Sequence, residues 1–138
     1  MGPASFVLDT SVTLGALFED EQDAYSLAVL ASMAEAEALV PALWHLELSN
    51  ILARALKAGC LEPLDVAQSW KRLEALGISV SPTPQDAHHW VQRSVEWGLT
   101  TYDCCYLELA RQRRLPLATR DAALAAAAER VGVALYLH

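Results

Sequence analysis

The sequence predicts an α/β fold of three layers, α/β/α, around a mostly parallel central sheet. Short apolar runs with β-branched members alternate with longer stretches of helical spacing, the pattern of strand–helix–strand units with right-handed crossovers. The run Phe6-Val7-Leu8 passes straight into Asp9, Thr10 and Ser11. That reads as a buried strand delivering a carboxylate to the carboxyl edge of the sheet, where open α/β sheets bind ligands. Three further acids, Glu47, Asp103 and Asp121, fall at helix or strand ends that could reach the same rim. With 138 residues the chain fits one domain, 1–138, around one core.

Taken in order, Phe6–Leu8 is the first strand, and a short helix covers Ser11 to Phe18. Asp9 alone also fits as the cap of that helix. Glu19-Asp20-Glu21 marks a turn, and a helix from about Gln22 to Glu35 carries Tyr25, Leu27, Leu30 and Ala34 at helical spacing. Ala38-Leu39-Val40 is a brief second strand closed by Pro41. Leu43 to Ala58 is helical, ending at Gly59, with Trp44, Leu48, Ile51, Leu52 and Ala55 as its apolar stripe. Glu47 and Asn50 point the same way one turn apart, and a solvated face with a Glu47-to-Arg54 relay is the plain alternative. Pro63 starts a helix that stops at Gly77.

Ile78-Ser79-Val80 alternates like a strand and is ended by Pro82 and Pro84. Pro84 to Trp97 is the next helix; its neighbours His88 and His89 diverge too far to share a metal. After the loop Gly98–Thr101, a helix runs from Tyr102 to Arg113, with Thr101 as cap and Asp103 in the first turn, where the helix dipole favours an ionised carboxylate. Leu115–Thr119 reads as a strand, Asp121 opens an alanine-rich helix to Arg130, and Val133–Leu137 closes the chain as a strand.

Composition narrows the function classes. Hydrophobic residues make up 54% and charged residues 20%, and no apolar run is long enough for a membrane span. Met1–Ser5 has no secretory pattern, and Cys60, Cys104 and Cys105 form no disulfide or zinc motif, so a reducing cytoplasm is expected. A net charge of −7 argues against nucleic-acid binding through a broad basic surface. It is compatible with carboxylates that work through a divalent cation, because the bound ion inverts the local sign seen by a phosphate. Arg111, Arg113, Arg114 and Arg120 are the one concentrated basic patch, readable as phosphate contacts or as surface charge near a helix end. Carboxylates on separate elements suit Mg²⁺ or Mn²⁺ and metal-assisted phosphoryl chemistry.

Four segments then carry a resemblance. Phe6-Val7-Leu8-Asp9-Thr10-Ser11, Glu47-Leu48-Ser49-Asn50, Thr101-Tyr102-Asp103-Cys104-Cys105-Tyr106-Leu107-Glu108-Leu109-Ala110 and Leu117-Ala118-Thr119-Arg120-Asp121 resemble, in order and spacing, the signature segments of PIN-domain ribonucleases, most of all VapC-type toxins of prokaryotic toxin–antitoxin pairs. The resemblance implies that Asp9 and Asp103 hold the metal, with Glu47 and Asp121 binding it directly or through water. Ser11, Asn50 and Thr119 match polar residues that support those carboxylates by hydrogen bonds. The implied reaction is hydrolysis of an RNA phosphodiester by metal-activated water, leaving a 5′-phosphate and a 3′-hydroxyl. A homodimer and a cognate antitoxin are the implied protein partners, and Tyr25, Trp44, Trp90 and Trp97 are suited to interfaces or to the core.

Two other readings stand beside this one. An aspartate-nucleophile phosphotransferase or a phosphate-receiving domain lacks its parts here: Ser11 stands where a phosphatase wants a second Asp, and the only lysines are Lys57 and Lys71. A PIN fold acting as a catalytically weak RNA- or protein-binding module is the other, since fold does not fix function.

Overall fold

The computed structural model describes residues 5–18 and 22–138; the expected turn at Glu19–Glu21 and the start Met1–Ala4 lie outside them. The elements run β1 (Ser5–Leu8), α1 (Thr10–Leu17), α2 (Ala24–Ser32), β2 (Glu37–Pro41), α3 (Leu43–Lys57), α4 (Pro63–Glu74), β3 (Ser79–Ser81), α5 (Ala87–Trp97), α6 (Thr101–Arg113), β4 (Leu117–Ala118) and α7 (Ala122–Arg130). The sheet order is β3-β2-β1-β4 and every pairing is parallel. This is the α/β/α architecture the alternation predicts.

Parallel strands are buried on both faces and so read as continuous apolar runs. Phe6 and Val7 in β1 and Leu117 and Ala118 in β4 are fully buried, and β1 lies between β2 and β4. The chain leaves β1 toward β2 and β3 and returns on the other side with β4. That reversal puts a topological switch point between the carboxyl ends of β1 and β4, the place where open α/β sheets form a binding crevice.

Several boundaries differ from the expectation, each for a local reason. The predicted closing strand Val133–Leu137 makes one bridge, Leu117 to Leu135, and is not a strand. Tyr136 instead stacks on Phe6 with ring centroids 4.0 Å apart, its carbonyl accepts from the Tyr25 hydroxyl at 2.7 Å, and Leu137 turns to φ 55°. β4 shrinks from Leu115–Thr119 to two residues, because Arg114 ends α6 in the left-handed region, Pro116 has no N–H, and the Thr119 hydroxyl is used elsewhere. α2 begins at Ala24 because Asp23 caps it, accepting from the Ser26 amide at 2.8 Å. α5 begins at Ala87, not Pro84, because Asp86 caps it by accepting from the His89 amide.

Trp44 and Trp97 join the core, with Trp44 Nε1 donating to Thr13 Oγ1 at 3.1 Å, whereas Tyr25 and Trp90 are half-buried. α5 is fastened to α6 through Glu108, which is 2% exposed and accepts from Arg93 Nε at 2.7 Å and meets His89 Nε2 at 2.5 Å. Arg93 also lies over the Trp97 ring, 5.1 Å from its centroid. No helix among the described residues is long and apolar enough to cross a membrane.

Candidate active site

Asp9 follows the last residue of β1 at the N-terminus of α1, and its own amide donates to Ala118 O at 3.0 Å, which continues the ladder with β4. The residue is 6% exposed. Its Oδ2 accepts two hydroxyls, Ser11 Oγ at 2.6 Å and Thr119 Oγ1 at 2.8 Å. A hydroxyl has one proton and two lone pairs. Ser11 Oγ accepts the Arg120 amide at 3.0 Å, and Thr119 Oγ1 accepts the Asp121 amide at 3.0 Å, so both hydroxyl protons are left for Asp9. The β1–α1 and β4–α7 turns are thereby stitched together across the switch point.

Asp121 caps α7, accepting from the Leu124 amide at 2.8 Å. Asp103 sits in the first turn of α6, whose cap is Thr100 rather than Thr101, the Thr100 hydroxyl accepting from the Asp103 amide at 3.1 Å. Glu47 projects from α3 and turns inward instead of toward Arg54. Its Oε1 accepts from Tyr106 at 2.5 Å and from Thr10 at 3.1 Å, and the Thr10 and Tyr106 oxygens are 2.7 Å apart. Asn50, one turn further along α3, is exposed and makes no hydrogen bond to these carboxylates.

Two of the residues that hold the site, Tyr106 and Thr10, escaped sequence reading. Helical spacing marks Tyr106 only as part of the buried side of its helix. The available signal was that a buried tyrosine hydroxyl needs a partner and that Tyr106 lies one turn beyond Asp103 on the same helix face.

The electrostatics are strained in one direction. Burial raises the Asp9 carboxyl, the Ser11 and Thr119 hydroxyls pull it back down, and the charges of Glu47 and Asp121 raise it further. Asp103 is pushed up to about 6, by burial first and then by the charges of Asp9, Asp121 and Glu47. The expected effect of the helix dipole is overridden by those neighbours. Burial and the bond to Glu47 likewise raise the Tyr106 hydroxyl, so it stays a donor. None of Asp9, Glu47, Asp103 and Asp121 is in an ion pair with a described Lys, Arg or His.

The basic residues do not answer this charge. Arg111, Arg113 and Arg114 lie at the opposite end of α6 from Asp103, on the order of 15 Å along the helix. Arg120 donates from Nε to Ser11 O at 2.7 Å and from a terminal nitrogen to Asp23 Oδ2 at 3.1 Å.

Hard divalent cations suit such a donor set. Among the described residues no three His, Cys, Asp or Glu side chains already close around one point. Mg²⁺ needs no such cage, because it keeps several waters and takes one or two carboxylates. Among the neighbouring charges, that of Asp9 acts most strongly on Asp103.

Comparison with known proteins places the fold. None of the curated proteins compared matches the chain. Among solved structures it is similar to PAE2754 from Pyrobaculum aerophilum, at 22% identity and TM-score 0.67 over 90% of this chain and 79% of that one. It is also similar to FitAcB from Neisseria gonorrhoeae, at 22% identity and TM-score 0.61 over 95% and 96% of the two chains. A domain of a functionally unknown protein from Methanocaldococcus jannaschii superposes with TM-score 0.57 at 16% identity, over 98% of this chain and 91% of that one. These likenesses concern the fold. The family model described as PIN domain matches residues 6–130, a span that contains Asp9, Glu47, Asp103 and Asp121, and PIN domains are generally nucleases that use divalent metal ions. The chain belongs to the PIN-domain family.

Proposed function

We propose that this protein is a metal-dependent endoribonuclease, the toxin of a type II toxin–antitoxin pair of the VapC kind. The observation that carries the reading is the edge formed by buried Asp9, half-buried Glu47 and Asp103 and exposed Asp121: carboxylates whose charges bear on one another and that, among the described residues, form no ion pair with a cation. Asp9 and Asp103 would hold Mg²⁺ or Mn²⁺, with Glu47 and Asp121 flanking. A cation bound there supplies a Lewis acid that acidifies water and neutralises charge on a phosphate. The chain's part is orientation. Ser11 and Thr119 fix the Asp9 carboxylate through one oxygen, and Tyr106 and Thr10 fix Glu47 in the same way. Asp121 is tied by its amide to the hydroxyl that holds Asp9, so the acids on the β1–α1 and β4–α7 turns are coupled. RNA is the proposed substrate, and a cognate antitoxin, a second copy of this chain and a cytoplasmic setting go with the toxin reading.

The test is cleavage of a mixed structured RNA pool with Mn²⁺ or Mg²⁺ against EDTA, beside Asp9→Asn. Metal-dependent cutting that the substitution abolishes is the expected result. That no three acids converge among the described residues favours a second reading, a binding module that holds metal weakly. A folded wild-type protein that binds RNA or a partner protein but cuts no RNA class would establish that alternative.

A further inference from the structure

We propose that Arg120 is a positioning residue that clamps the two metal-bearing turns at one spacing; the inference rests on the metallonuclease reading and deepens it. Arg120 lies between Thr119 and Asp121 on the β4–α7 turn. Its amide donates to Ser11 Oγ at 3.0 Å and its Nε to Ser11 O at 2.7 Å, so one residue grips both the side chain and the backbone of the first turn of α1. The far end of the same guanidinium reaches Asp23 Oδ2 at 3.1 Å, at the cap of α2.

The route to Asp23 passes α1 at Gly15. A Cβ on Gly15 would fall 2.9 Å from Arg120 Cζ, 2.7 Å from Asp23 Oδ2 and 2.4 Å from Ser26 Oγ. Glycine weakens a helix, and here its bare backbone is what lets the guanidinium lie close against α1. The clamp has a job to do. Asp9 and Asp121 repel each other across the switch point, and each raises the charge burden on Asp103. Arg120 opposes that repulsion by holding together the backbones that carry the two carboxylates. A planar fork with fixed donors suits this task better than the point charge of lysine.

The comparison of wild type with Arg120→Ala, Arg120→Lys and Asp23→Asn separates this role from a phosphate contact or simple structural support. Asn at position 23 keeps an oxygen for the cap and removes the charge that Arg120 meets there. Three readouts are taken: amide hydrogen exchange of metal-free protein over residues 10–13 and 121–125, Mn²⁺ affinity from the free-ion EPR signal, and kcat, KM and salt dependence of RNA cleavage. In Arg120→Ala, exchange should quicken in both segments, and Mn²⁺ affinity and kcat should fall by about 10-fold to 100-fold, with KM and the salt slope unchanged. Arg120→Lys and Asp23→Asn should show part of each change. A raised KM with a shallower salt slope and unaltered Mn²⁺ affinity would make Arg120 a phosphate contact and overturn the proposal. A lower melting temperature with exchange and Mn²⁺ affinity unchanged would also overturn it. Wild type that binds no Mn²⁺ would sink the metallonuclease reading and this deepening of it, whereas Mn²⁺ binding that is equal in all four proteins would sink the clamp alone.

Discussion

Glu108 and Asp9 are both carboxylates sunk in the interior, one on α6 and the other at the end of β1. Glu108 is met by a guanidinium and an imidazole, Arg93 and His89, both from α5. The Glu108 bond raises the Arg93 guanidinium further, as expected of a settled ion pair. Asp9 is met by two neutral hydroxyls and faces the charges of Glu47 and Asp121. Burying a carboxylate costs free energy unless it is paired. At Glu108 the fold supplies the counter-charge and gains a tether between two helices. At Asp9 it supplies only orientation and leaves the charge uncompensated, which makes sense if the counter-charge comes from outside.

Exchanging these roles by mutation should break the contrast in predictable ways. Asp9→Asn should cut RNA cleavage by about a thousandfold, ~4 kcal/mol of barrier, while the protein stays folded in circular dichroism. Glu108→Gln should do the reverse, lowering stability by about 3 kcal/mol in urea titrations and leaving cleavage per folded molecule unaltered. Tyr106→Phe leaves Glu47 Oε1 with Thr10 alone. A hydrogen bond to a charged group contributes about 2 kcal/mol, so kcat should drop by roughly an order of magnitude with little change in KM.

The smallest effect carries the clearest sign. The Asp103 carboxyl is raised from 3.8 to about 6, so in metal-free protein the folded state holds a proton that the unfolded chain has lost in that window. Its contribution to stability is therefore full below 3.8 and is lost as pH rises through about 6. Asp103→Asn should open a gap in stability over wild type across that window, on the order of 1 kcal/mol at neutral pH after allowing for partial exposure. Asp23 runs the other way: burial raises its carboxyl, but the Ser26 and Arg120 bonds outweigh that and lower it, so what it adds is lost only in acid.

The layers, the parallel order and the placement of Asp9 at a strand end were legible because buried strands and amphipathic helices write different periods into the chain. The tail Val133–Leu137 has the composition of a strand, yet it is drawn off by the Phe6 stack and the Tyr25 hydroxyl, partners distant in sequence. Asp9, Glu47, Asp103 and Asp121 could be singled out from their positions at strand and helix ends and from the family resemblance. Their supports could be named only in part. Ser11 and Thr119 lie within a motif, whereas Tyr106 reaches Glu47 across 59 positions and Arg120 reaches Asp23 across 97. Periodicity holds no record of such pairs. Nor does sequence proximity gather the basic patch, because α6 puts Arg111, Arg113 and Arg114 at its opposite end from Asp103.

The most direct test of an uncompensated carboxylate edge is equilibrium urea unfolding at pH 7, with and without Mn²⁺, for wild type and Asp9→Asn. A cation that binds only the folded state must stabilise it by mass action. The wild-type midpoint should rise with Mn²⁺, and the midpoint of Asp9→Asn, higher than wild type in EDTA, should move little. Wild type indifferent to Mn²⁺, with Asp9→Asn less stable than wild type under both conditions, would contradict the account and make Asp9 a structural residue like Glu108.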